Sequence, residues 1–309
     1  MKKTVKTSMV LLALGLGLSI GTTDEVEAIS ESPYAFFNEL SIRETVGTEL
    51  DQVYKNKYKE KIDKLDNDFE NNLISNEEYE KLFDKLTEEF EANLLEKQSL
   101  FNDYQLFKKE ELKDITSFGG EFELNSSLSG FNQFSSLKII QGEGGNFNSF
   151  RELNGLKELR EVWLEGSNQL TLNSFKNSPN LETIILKFNG FENYDERLRN
   201  EGFSQTLTTD ISALSNLNKL KQIRINACGR MATITLKKGT TSYRLFDPIV
   251  ASKQFEGAEM NYSSSIESDE WLEWNNLEGN EEYLDFSWRV EKGSNFSYTG
   301  EGQIPIRWK

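Results

Sequence analysis

The chain has 309 residues, with 51 acidic side chains against 35 basic ones and a formal net charge of −16. That balance opposes the phosphate contacts on which nucleic-acid binding depends and repels anionic membrane surfaces, so neither is an expected partner. The sequence contains no histidine and one cysteine, Cys228, which removes His-based triads, His general bases, the usual zinc ligand sets and any intramolecular disulfide.

The chain opens on Met1-Lys2-Lys3-Thr4-Val5-Lys6, continues with an apolar run from Met9 to Ile20, and reaches small residues at Val26-Glu27-Ala28. This pattern predicts a secretory signal over 1–28. The run is shorter than the ~20 residues of a bilayer span, so no membrane span is expected. At the other end, Gln303 to Lys309 carries neither a hydrophobic tail nor a wall-sorting pentapeptide before one. The expected location is extracellular, either free or held at the cell surface without a covalent wall anchor.

From about Thr48 to Glu111 the chain is charged and lacks Gly and Pro. Leu50, Tyr54, Tyr58, Ile62, Leu65, Phe69 and Leu73 recur every three or four positions, and Tyr79, Leu82, Phe83, Leu86, Phe90 and Leu94 form a second stripe. Two amphipathic helices are predicted, separated by Ser75-Asn76-Glu77-Glu78, which offers a capping box. Such helices should fold against each other as an acidic hairpin over 29–115, and 48–111 is a candidate oligomerisation element. Asp66, Asp68, Glu70 and Glu77 also stand at positions 1, 3, 5 and 12 of an EF-hand-like spacing. Asn71 replaces the turn glycine and Leu73 occupies position 8, so a plain acidic helix turn is preferred to a calcium loop. The stretch Leu65 to Leu82 resembles the helix–turn–helix of SHOCT-type bacterial modules, which implies oligomerisation or partner contact.

Downstream the period changes. Leu137-x-x-Ile140-x-Gly142, Leu159-x-x-Val162-x-Leu164, Leu181-x-x-Ile184-x-Leu186 and Leu220-x-x-Ile223-x-Ile225 superimpose as L-x-x-L-x-L, with Gly142 the weak position. Each follows apolar or small residues six and three positions earlier: Phe131/Phe134, Leu153/Leu156, Phe175/Ser178 and Leu214/Leu217. The first three recur every 22 residues, and the fourth follows after 39, which places an insertion near 193–209. A repeat of ~20–29 residues with one strand and one return segment is a leucine-rich repeat, and 116–232 is read as a short solenoid. Asn189 and Cys228 fall where such a repeat places Asn or Cys to serve the turn, so Cys228 is expected to be structural.

The segment from Asp210 to Leu220, Asp-Ile-Ser-Ala-Leu-Ser-Asn-Leu-Asn-Lys-Leu, resembles the D-I-S-P-L-x-N-L-T-x-L core of internalin-type repeats of Gram-positive bacteria, with Ala213 in place of Pro. The resemblance continues through Trp271 to Leu277, Tyr283 to Trp288 and Asn295 to Gly300, which are similar to the Ig-like domain adjoining internalin repeats. It spans about Phe131 to Lys309 and implies an Ig-like β-sandwich over 233–309 that covers the open end of the repeats. Without it, Thr233 to Leu236, Tyr283 to Trp288 and Phe296 to Tyr298 still read as strands, and four of the five tryptophans in this region are expected in a core. The fold class is therefore α+β multidomain: helical hairpin, leucine-rich repeat solenoid, Ig-like sandwich.

Alternation along each repeat strand turns the residues between the leucines outward. Gln141, Trp163, Ile185 and Arg224 should form one row across the sheet, with Glu161, Glu165 and Lys187 beside it. An aromatic anchor with a charged surround has the composition of a binding hot spot, unless the insertion or the hairpin folds over Trp163. The expected function is adhesin-like recognition of a protein or glycan at a cell surface, without a cofactor and without catalysis. The alternative is a structural component of the cell envelope that oligomerises through the hairpin. A carboxylate-based glycan hydrolase is a third reading, but no acidic pair with the required spacing stands out.

Overall fold

The computed structural model describes residues 33–37, 40–104, 106–122, 128–143, 149–167, 171–188 and 206–309. The signal segment 1–28, Asn189 and the insertion as far as residue 205 lie outside the described residues. The fold mixes two long helices with one large sheet.

The chain enters through β1 (Tyr34–Ala35) and then forms α1 (Leu40–Glu70) and α2 (Asn76–Tyr104), after which β2 (Phe107–Lys108) pairs antiparallel with β1. The two apolar stripes meet as the periodicity requires. Tyr54 and Tyr58 lie on Phe90 with ring centroids 5.1 and 4.4 Å apart, and Phe69 meets Tyr79 at 4.8 Å, so the helices run antiparallel. Ser75 Oγ accepts the Glu78 N–H at 3.2 Å, which satisfies one of the free donors at the start of α2.

α1 starts before Thr48, and the sequence hides this behind Gly47, which here is an interior helical residue facing the Phe101 ring. The added turns bring Ile42 and Val46, which with Leu50 are buried in the same core as Phe37, Phe118 and Phe134. Phe37 stacks on Phe134 at 5.4 Å. The base of the hairpin thus covers the first edge of the sheet. Beyond Leu50, α1 buries only Leu65, and α2 buries no residue whose side chain is described.

Five parallel strands follow, one more than the repeat pattern predicts: β3 (Ser117–Glu121), β4 (Ile139–Glu143), β5 (Glu161–Ser167), β6 (Thr183–Phe188) and β7 (Gln222–Arg230). β3 belongs to a unit that begins at Ile115, 22 residues before Leu137, with Phe118 and Gly120 in the apolar slots. Phe118, Ile140, Val162, Ile184 and Ile223 align in register and are fully or almost fully buried. Gly142 is weak in the pattern because Phe122 fills its place: a Cβ there would stand 1.8 Å from that ring.

The return segments descend in three-residue steps. In the last one the Leu214, Leu217 and Leu220 N–H groups bond to the carbonyls of Ile211, Leu214 and Leu217.

Beyond β7 come β8 (Ile234–Leu236), β9 (Ser242–Phe246), β10 (Met260–Ser263), β11 (Glu267–Ser268), β12 (Trp271–Asn275), β13 (Tyr283–Lys292) and β14 (Phe296–Trp308). This region does not form a free-standing pair of sheets. β14 pairs parallel with β7 and antiparallel with β13, which pairs with β10, so the repeat sheet runs on through the C-terminal region. Residues 249–258 imitate a return segment. The Phe255 and Ala258 N–H groups bond to the carbonyls of Ser252 and Phe255, and Gln254 Nε2 donates to the carbonyls of Leu214 and Leu217. The strand for this imitation is supplied from elsewhere, by β14.

A two-stranded ribbon of β9 and β12 lies over the inner face, with Trp274 meeting Phe286 edge-on at 6.2 Å and donating from Nε1 to the Asp285 carbonyl. Trp274 and Trp288 are core residues, and Cys228 is buried.

Candidate interaction face

The outward face of the sheet is built by strand alternation, and its rows follow from the register. Gly119, Gln141, Trp163, Ile185, Arg224 and Ser297 stand opposite one another in turn from β3 to β14, with Gln141, Trp163, Ile185 and Arg224 adjacent as the sequence predicts. Trp163 is 40% exposed, and Ile185 beside it is partly exposed. The indole Nε1 donates to Glu161 Oε2 at 3.3 Å, which fixes the ring against its own strand. In the next row Lys187 reaches Glu165 at 3.2 Å.

Charge is divided across this face. Glu121, Glu143, Glu161 and Glu165 lie on β3 to β5, whereas Lys187 and Arg224 lie on β6 and β7, with the two apolar side chains at the boundary. A charge ladder marks the start of the strands: Glu182 is held between Arg160, at 3.7 Å, and Lys221. The hydrogen bond from Lys221 is the largest influence on Glu182 and keeps its carboxyl below the usual range.

Sequence reasoning missed the part of the face supplied by β14 and β13. Ser297 and Thr299 extend the rows of Arg224 and Asn226, and Glu291 and Arg289, in that order, continue them one strand further. Arg289 donates to Glu291 at 2.7 Å and holds that carboxyl low. No local signal reveals these residues, because the pairing joins segments more than seventy residues apart.

The acidic residues at EF-hand-like spacing are placed differently. Asp66, Asp68 and Glu70 stand on helical backbone at the end of α1, and Glu77 stands in the first turn of α2. Tyr79 OH donates to Asp66 Oδ1 at 2.7 Å, and this hydrogen bond raises the phenol's pKa. Among the described residues no group of three or more Asp, Glu or Cys side chains converges as metal ligands. Among them, too, no helix is long and apolar enough to cross a membrane.

No protein-family model and no curated protein matches this sequence. Among solved structures, an internalin of Listeria monocytogenes is similar over 40% of this chain and 39% of its own, with 18% identity and a TM-score of 0.28. The CBM51-2 and INT domains of ZmpB from Clostridium perfringens are similar over 84% of this chain and 51% of theirs, with 13% identity and a TM-score of 0.25. An internalin-like protein of Listeria monocytogenes is similar over 65% of this chain and 90% of its own, with 12% identity and a TM-score of 0.23. This chain spans less than two thirds of the first two structures.

Proposed function

We propose that the chain is a secreted or surface-associated recognition protein of internalin-like, leucine-rich repeat build. It binds a protein or glycan through the outward sheet face and catalyses no reaction. The in-register row of Gln141, Trp163, Ile185 and Arg224, with Trp163 exposed at its centre, carries this reading. An aromatic side chain held on a rigid strand loses little entropy when it is covered, and hot spots favour Trp and Arg with charged residues around them. The signal pattern over 1–28 supports export, and the absence of histidine supports binding over acid–base chemistry.

The test is a paired capture from candidate cell surfaces and a glycan panel, using the chain from residue 29 and its Trp163→Ala variant. A ligand held by the first and lost by the second supports the reading. A ligand retained equally by both, with the variant folded, contradicts it.

A further inference from the structure

The far end of the helical hairpin carries a second feature, separate from the sheet face. Phe69, Tyr79 and Phe83 form a continuous aromatic floor, with ring centroids 4.8 and 6.0 Å apart. Phe69 and Phe83 are each 37% exposed, and Leu73 in the turn is 69% exposed. Two helices alone leave both sides of their seam open, because each apolar stripe is wide enough to meet two neighbours.

Acidic side chains line both edges of this floor. Asp63, Asp66 and Glu70 follow one another at i, i+3 and i+7 on α1, and Glu77, Glu80 and Asp84 repeat that spacing on α2. The spacing places each set in one stripe along its helix. The Phe69–Tyr79 and Tyr58–Phe90 contacts bring Glu70 level with Glu77, and Asp63 level with Asp84. The hydrogen bond from Tyr79 to Asp66 ties the α1 rim to the floor. One ion pair touches these rims among the described residues, the exposed Lys59–Asp63 pair on a single helix. The opposite flank differs: Lys57 reaches Asp114 and Lys108 reaches Glu96, so there the hairpin leans on the body.

We propose that this groove receives a cationic amphipathic helix from a partner protein, which completes a three-helix bundle. Its apolar stripe would cover Phe69, Phe83 and Leu73, and Lys or Arg on both sides of that stripe would face the two acidic rims. A second copy of this chain would bring a second set of like charges to the groove, and like charges brought together in an interface are strongly disfavoured. A divalent cation is disfavoured because the carboxylates do not converge among the described residues.

The probe is an amphipathic helical peptide of Leu and Lys, titrated into the full chain by fluorescence anisotropy, with the Leu and Glu counterpart as control. The Lys peptide is expected to bind and the Glu peptide to fail. Phe83→Ala should weaken binding about tenfold or more, the size of a hot-spot truncation. Leu82→Ala, about 100° away around the same helix, should leave it unchanged. Charge reversal at Glu70 and Glu77 should abolish it. Binding that is insensitive to Phe83→Ala would reduce the effect to nonspecific charge attraction and overturn the proposal. So would sedimentation showing a stable dimer of the full chain that Phe83→Ala dissociates, because a second copy would then occupy the groove. The sheet face is untouched by these variants, so failure here leaves the Trp163 reading standing.

Discussion

Single residues decide how closely the layers approach. Gly142 is the clearest case, because its missing side chain is replaced by the ring of Phe122 from the preceding unit. Gly300 is similar, since a Cβ there would stand 2.2 Å from the Trp288 ring and 2.6 Å from the Ala227 carbonyl. Gly142→Ala should therefore destabilise the fold by about 1–3 kcal/mol, the usual cost of overpacking, as measured by urea denaturation. Unchanged stability would mean that Phe122 moves aside freely.

Acid sensitivity is set at the same scale. Glu281 accepts N–H groups from Glu278, Gly279 and Asn280, at 2.6, 3.1 and 3.2 Å, and these bonds hold its carboxyl below the usual range. Arg244 does the same for Glu273. A carboxyl with a depressed folded pKa stabilises the fold above its unfolded value of about 4.3, and that contribution disappears as the pH falls through the folded value. Thermal unfolding between neutral and acid pH should show this loss, and Glu281→Gln should flatten it on the acid side. A variant with the same acid slope as the parent would contradict the assignment.

At the scale of elements, the strands of β4 to β7 were legible because a buried parallel strand in a repeat must place an apolar residue in every inward slot. β3 was not legible, because Gly120 sits in the last apolar slot of its unit, where the pattern expects a larger residue, and Thr45 of α1 meets it only in three dimensions. The start of α1 was concealed by Gly47, since a glycine in a helix interior looks like a helix boundary in one dimension. The buried and the exposed sides of the hairpin should respond differently to truncation. Ile42→Ala, inside the core that covers β3, should cost about 2–5 kcal/mol, whereas Leu95→Ala on the exposed side of α2 should stay within about 0.5 kcal/mol. Equal effects in urea titrations would mean that the hairpin is not anchored through its first turns.

For the whole molecule, the decisive feature is the parallel pairing of β14 with β7. It joins the repeat sheet to the C-terminal strands, and buried residues from Phe37 to Ile304 form one hydrophobic cluster. The sequence shows strands in both regions, but it does not show which strand lies beside β7. Tyr298 reinforces the join by donating from its hydroxyl to the Thr208 carbonyl at 2.7 Å. The repeats and the C-terminal strands should therefore unfold in one transition, seen equally by tryptophan fluorescence and by circular dichroism. Two separated transitions would show that the halves are independent. The same continuity makes the outward face one surface, on which Trp163 and Ile185 form the apolar centre.

The affinity of the captured ligand for the Trp163→Ala variant is the most direct measurement of that face. Trp163 is exposed, so the variant should keep the parent's thermal stability while losing at least about tenfold in affinity, the scale of a hot-spot truncation. An unchanged affinity in a folded variant would show that the ligand binds elsewhere and that the row centred on Trp163 is not the recognition surface.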